Sequence, residues 1–111
     1  MRPVLVALAI AAASPIPASA QTDAREVAWI EKGKAMVQSK LKDPGSAEFK
    51  DVFFFRGRDG IPMTCGQVNG KNAFGGRPGF RRFISAGSAE MTFIEDEVSE
   101  FSELWGRFCG R

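Results

Sequence analysis

Four basic side chains, Lys71, Arg77, Arg81 and Arg82, share one stretch with the amides Asn69 and Asn72 and with five glycines between Gly66 and Gly79. Glycines let backbone amides come close to a ligand, asparagines add donors and acceptors, and the cations add field; together they can form a concavity for an anionic or carbonyl-rich partner. The candidate ligand-binding set is Asn69, Lys71, Asn72, Gly75, Gly76, Arg77, Arg81 and Arg82. The same residues also admit a purely architectural reading, in which the glycines serve turns and a bulge, the asparagines bond their own loop and the arginines are a solvated face. No Lys followed by Ser or Thr stands at P-loop spacing, and no dinucleotide fingerprint is present.

Other chemistry is thinly supplied. There is no histidine in the 111 residues, which excludes Ser-His-Asp and Cys-His catalysis, His-ligated zinc and a histidine pH switch. Asp51, Asp59, Glu95 and Asp96 are the carboxylates that a hydrolase of an envelope polymer would use, given a pair roughly 5–9.5 Å apart with one raised pKa. Each reads equally well as a turn, cap or surface charge, so the expectation is a protein without catalytic residues, metal or cofactor. Cys65 and Cys109 lack CxxC spacing and have no imidazole to lower a thiol pKa, which points to a structural bridge rather than a reactive thiol.

Arg2, the apolar run from Val4 to Ala13, the prolines Pro15 and Pro17 and the small residues Ala18 and Ala20 together read as a signal peptide cleaved after Ala20. The apolar run is about half the roughly 20 residues a spanning helix needs. Residues 1–20 are therefore expected to be the leader and residues 21–111 one small domain, periplasmic or secreted, with no transmembrane segment after cleavage. In that oxidising space a bridge between Cys65 and Cys109 is favoured.

The elements that must position these residues follow from periodicity. Residues 23–42 read as a helix, with Val27, Ile30, Val37 and Leu41 on one face and Trp29 and Met36 beside it. Asp43-Pro44-Gly45 ends it. The period then changes to two: a strand over residues 49–56 with Phe49, Phe53 and Phe55 on one face and Val52 and Phe54 on the other, a turn at Arg58-Asp59-Gly60, and further strands over residues 61–68, 80–86 and 89–94. A last helix is expected over residues 97–109, capped by Asp96, with Val98, Phe101, Trp105 and Phe108 as its buried stripe and Gly110 at its end. The predicted fold is α+β: an N-terminal helix, a four-stranded antiparallel meander and a C-terminal helix packed on one sheet face, with both helices on that face.

The stretch from Leu41 to Phe49 (LKDPGSAEF), followed by Cys65-Gly66, Val68-Asn69, Lys71-Asn72, Phe74-Gly75-Gly76, Gly79-Phe80 and Phe83, resembles a group of small exported or envelope-anchored bacterial proteins, some of them phage-associated. The resemblance covers about half of residues 21–111 and implies a shared fold and a shared loop; it transfers no catalytic residue. Where that group has an aromatic after Gly-Gly, this chain has Arg77.

Charge completes the reading. The formal net charge of +2 is too small to imply nucleic acid, but residues 50–82 hold seven basic side chains against two acidic and residues 83–111 hold six acidic against two basic. The expected function is an exported binding or inhibitor-type module whose loop, residues 69–82, engages a protein or an anionic envelope polymer. A structural part of an envelope or secretion assembly is the alternative, ahead of the carboxylate hydrolase.

Overall fold

The computed structural model describes residues 18–57, 59–71 and 75–111. The leader reading therefore falls largely outside the described residues, as do Arg58 and Asn72. The elements are α1 (Ala18–Ser39), a 3-10 turn (Pro44–Ser46), β1 (Glu48–Arg56), β2 (Pro62–Asn69), β3 (Arg81–Ser85), β4 (Thr92–Ile94), a second 3-10 turn (Glu95–Glu97) and α2 (Phe101–Cys109). The strands form one antiparallel sheet in the order β1-β2-β3-β4, as the meander expectation requires.

The two helices lie on opposite faces of this sheet, not on one. Successive residues of a strand point to opposite sides, and β2 makes the division visible. Met63 and Cys65 join Ile84, Phe101 and Cys109 in a core against α2, while Val68 joins Val37, Phe83 and Ile94 in a second core against α1. Thr64, between Met63 and Cys65, donates its hydroxyl to the Trp29 carbonyl of α1 at 3.1 Å. A sheet whose strands are apolar on both sides needs two covers, so α2 packs on one face and α1 takes the other.

A β-bulge reorganises β1. Lys50 pairs with Gln67 and Phe53 with Cys65, so Asp51 and Val52 together oppose Gly66. Asp51 sits at φ 53°, in the left-handed region that costs a residue with a side chain about 1–2 kcal/mol. The extra residue inverts the alternation beyond it. Phe49 and Val52 pack into the α1 core, while Phe53 packs into the α2 core, 6.0 Å from Trp105 in an edge-to-face pair. The uninterrupted alternation expected for Phe49, Phe53 and Phe55 is thus corrected by one inserted residue.

The helix faces also differ from the periodic reading. Val27 is 58% exposed, and α1 approaches the sheet along Trp29, Gly33 and Val37. Gly33 centres that contact because a Cβ there would lie 2.6 Å from the Thr64 Cβ. Near its end, Lys40 donates to the Thr92 carbonyl at 2.6 Å and pairs with Glu97 at 3.3 Å, which fastens the short outer strand β4 to α1.

At the other helix, Glu95–Glu97 forms a turn of its own, Val98 is extended, and α2 starts at Phe101 behind Glu100 rather than behind an Asp96 cap. The cause is that Glu95 and Asp96 are drawn back to Arg82 and Arg81 of β3. Gly110 closes α2 at φ 72°, its N–H donating to the Gly106 carbonyl. The Cys65–Cys109 disulfide joins β2 to this end of α2, with both residues at 0% exposure.

Candidate binding surface

The glycine-rich loop after β2 is held at three points. The Asn69 side-chain oxygen accepts the Gly79 N–H at 3.2 Å, closing the loop on itself. The Lys71 N–H donates to Ser46 Oγ at 2.8 Å, and that hydroxyl donates on to the Asp43 carbonyl at 2.7 Å. The Arg77 guanidinium donates to the Ser46 carbonyl at 3.0 Å and to Glu48 at 3.1 Å. The short turn that ends the first helical region is therefore the anchor of the loop. Gly70 seals this contact, since a Cβ there would lie 3.0 Å from Leu41 Cδ1. Gly79 turns the chain into β3 at φ 109°, a conformation that glycine adopts without steric penalty.

Five of the eight candidate residues, Asn69, Lys71, Gly75, Gly76 and Arg77, belong to this anchored loop; Asn72 lies outside the described residues. Lys71, Gly75, Gly76 and Arg77 are exposed and Asn69 is half-buried. Arg81 and Arg82 are not brought to the same place. As neighbours in β3 they project to opposite faces of the sheet, and each is committed to an acidic partner: Arg81 to Asp96 at 2.8 Å, Arg82 to Glu95 at 2.8 Å.

Arg82 is built into the α2 side. Its backbone N–H and its guanidinium both donate to Glu95, the guanidinium also donates to Ser102 Oγ at 3.0 Å, and its carbon lies 5.3 Å from the ring centroids of both Phe101 and Trp105. The hydrogen bonds from Arg82 to the Glu95 carboxylate hold its pKa below the ordinary glutamate value. That is the opposite of the raised pKa a general acid needs. Of the other hydrolase candidates, Asp96 is paired with Arg81, Asp59 faces Arg107 at 3.8 Å, and Asp51 accepts from the Gln67 amide at 3.3 Å.

Two residues outside the sequence-based set belong to this surface. Phe80 is 40% exposed, and the Lys50 ammonium of β1 lies 4.7 Å from its ring centroid. The missed signal is the register: Lys50 pairs with Gln67 and Arg82 also pairs with Gln67, which brings β1 alongside the start of β3 across β2. Lys50 and Phe80 thus form a cation–aromatic pair beside the start of β3, while Arg77 on the anchored loop is paired with Glu48.

Fold and surface together define a small disulfide-stapled α+β domain that carries an anchored glycine-rich loop at one end of its sheet. No family model matches the chain, and neither a curated protein nor a solved structure does. Among the described residues there is no group of three or more potential metal-ligating His, Cys, Asp or Glu side chains, and no helix long and apolar enough to cross a membrane.

Proposed function

We propose that this protein is an exported, non-enzymatic binding module that engages an acidic protein surface or an anionic envelope polymer through its loop, residues 69–82. The observation that carries this reading is the anchoring of the loop by Asn69, Ser46 and Arg77. Anchoring of residues 69–71 and 75–79 lowers the conformational entropy these residues lose when a partner docks, which favours recognition through the exposed Lys71. The exposed Lys71 and the Lys50–Phe80 pair add positive charge that suits an acidic partner and favours rapid encounter. The buried disulfide and the leader-like residues 1–20 support export to an oxidising compartment, periplasmic or extracellular.

The test is affinity capture from an envelope extract, with the parent protein beside a Lys50→Ser/Lys71→Ser variant and mass spectrometry as the readout. Arg77, Arg81 and Arg82 are left in place because their removal would strand Glu48, Asp96 and Glu95 and, for Arg77, unfasten the loop. A partner held by the parent and lost by the variant supports the proposal. A partner held equally by both would move binding away from the loop, and no partner at all would favour a structural role in an envelope assembly. The mass of the exported protein tests the compartment directly: it should begin at Gln21.

A further inference from the structure

We propose a second site, distinct from the loop: the cavity at the β1 bulge takes a zwitterionic ligand of the free amino acid or short peptide class. A cavity of about 410 Å³ opens on the α2 side of the sheet, its walls including Asp51, Phe53, Gly66, Gln67, Trp105 and Arg111. That volume is within the range of small-molecule sites. Its charged groups have opposite sign, and among the described residues neither Asp51 nor Arg111 makes an ion pair. The contrast is the cavity of about 470 Å³ beside Phe55, where the charges that face it, Asp59 and Arg107, are paired with each other at 3.8 Å.

Each half of the site is arranged for a complementary charge. The Arg111 guanidinium carbon lies 3.7 Å from the centroid of the Phe53 ring. Stacking on a ring face leaves the in-plane N–H groups of a guanidinium available, and their fork matches a carboxylate in two parallel hydrogen bonds. Asp51 supplies the opposite pole. Its carboxylate accepts from the Gln67 amide at 3.3 Å, which fixes it beside β2 and leaves the amide oxygen of Gln67 as a further acceptor for an ammonium group. Phe53 and Trp105, edge to face, supply an apolar wall of the same cavity on which a side chain can rest. The bulge that puts Asp51 in the left-handed region also re-aims its side chain out of the ladder, and that residue lines this cavity.

The test titrates the full exported protein with the dipeptide Ala-Phe, its N-acetyl form, its C-terminal amide and N-acetylglucosamine, following the Trp105 indole N–H resonance and the heat of binding. Ala-Phe should shift Trp105 and leave Trp29 unmoved, and each capped form should bind about tenfold weaker or less. Arg111→Gln and Asp51→Asn should each weaken Ala-Phe by about tenfold or more while melting as cooperatively as the parent. Asp51→Gly separates function from architecture: it should raise Tm by relieving the backbone and abolish binding, whereas a merely structural Asp51 would raise Tm and leave binding unchanged. The Lys50→Ser/Lys71→Ser variant should bind Ala-Phe like the parent, so failure of this site and failure of the loop are read separately. Equal binding of capped and uncapped peptides, preference for the sugar, or no binding of Ala-Phe at millimolar concentration would overturn the proposal.

Discussion

Two helical glycines should respond in opposite directions to the same substitution. Gly33 lies in α1 and Gly106 in α2, and by intrinsic helix propensity alone Ala in place of either should stabilise by about 1 kcal/mol. Their surroundings differ. A Cβ at Gly106 meets nothing within 4 Å, so Gly106→Ala should keep most of that gain. A Cβ at Gly33 would lie 2.6, 2.7 and 2.9 Å from Thr64 Cβ, Oγ1 and Cγ2. Carbon atoms in contact settle at about 3.5–4.0 Å, so α1 must retreat by about 1 Å.

That retreat opens the α1 core around Val37 and stretches the 3.1 Å hydrogen bond from Thr64 to the Trp29 carbonyl beyond useful range. Overpacking typically costs about 1–3 kcal/mol and the lost bond about 1 kcal/mol, against the propensity gain of about 1 kcal/mol. Gly33→Ala should therefore destabilise by about 1–3 kcal/mol while Gly106→Ala stabilises by about 0.5–1 kcal/mol. Urea denaturation followed by far-UV circular dichroism reads both, with the m-value checked for constancy. Equal stabilisation by the two substitutions would refute the close approach of α1 to β2, and with it the placement of the helices on opposite faces.

Further expectations follow from the bridge, the ion pairs and the last turn. Cys65→Ala/Cys109→Ala should lose about 4 kcal/mol, because the bridge spans a sequence separation of 44, and the urea midpoint should fall accordingly. An unchanged midpoint, or two alkylated thiols in the unreduced exported protein, would contradict the bridge. Glu95 has a folded pKa below its unfolded value near 4.3, so its contribution is present above about pH 4.3 and is lost as pH falls through the lower folded value. Glu95→Gln should flatten that part of the acid profile of Tm, by no more than about 1 kcal/mol because the side chain is 39% exposed. An acid profile identical to the parent's would show that the Arg82 pair contributes nothing. Gly110→Ala should destabilise by at least about 1–2 kcal/mol from its φ of 72° alone, and more because the new Cβ would stand 2.6 Å from the Phe55 ring. Thermal melts would show it, and an unchanged Tm would speak against the left-handed cap.

What could be read from the sequence was what depends on neighbours along the chain. The alternation of β2, the stripe of Phe101, Trp105 and Phe108 and the glycine after α2 are local signals, and β2 and the body and end of α2 form where those signals place them, whereas the start of α2 is set by distant partners. The pairing of Cys65 with Cys109 was legible from their count together with the leader-like start of the chain. The bulge was not, because Lys50-Asp51-Val52 alternates smoothly and only the register with Gln67, Gly66 and Cys65 shows two residues facing one. That hidden insertion is also why the face assignment of Phe53 failed. Likewise, nothing local says that Arg82 belongs to Glu95 and the rings of α2 while Arg77 belongs to Ser46 and Glu48; these partners lie 13 to 31 residues away. A list of cations near a glycine-rich loop cannot separate those that hold the domain together from those that face outward. Lys50 and Phe80 went unnoticed for the same reason.

The single disulfide ties only one of the two layers to the sheet, and this makes the order of assembly unequal. The segment from Cys65 to Cys109 contains the last five residues of β2 with β3, β4 and α2, so once oxidised it is a loop already confined near its final shape. The helix α1 leaves the ribosome before any strand and meets β1 soon after, as where Lys34 lies over Phe49, but it is tied to the rest of the sheet by residues made much later: Thr64 is 35 positions away from Trp29 and Thr92 is 52 away from Lys40. Such distant contacts are slow to find and are the first to be given up. The helix synthesised first is thus the layer that docks last and detaches first, and in hydrogen exchange its amides should open before those of the stapled half.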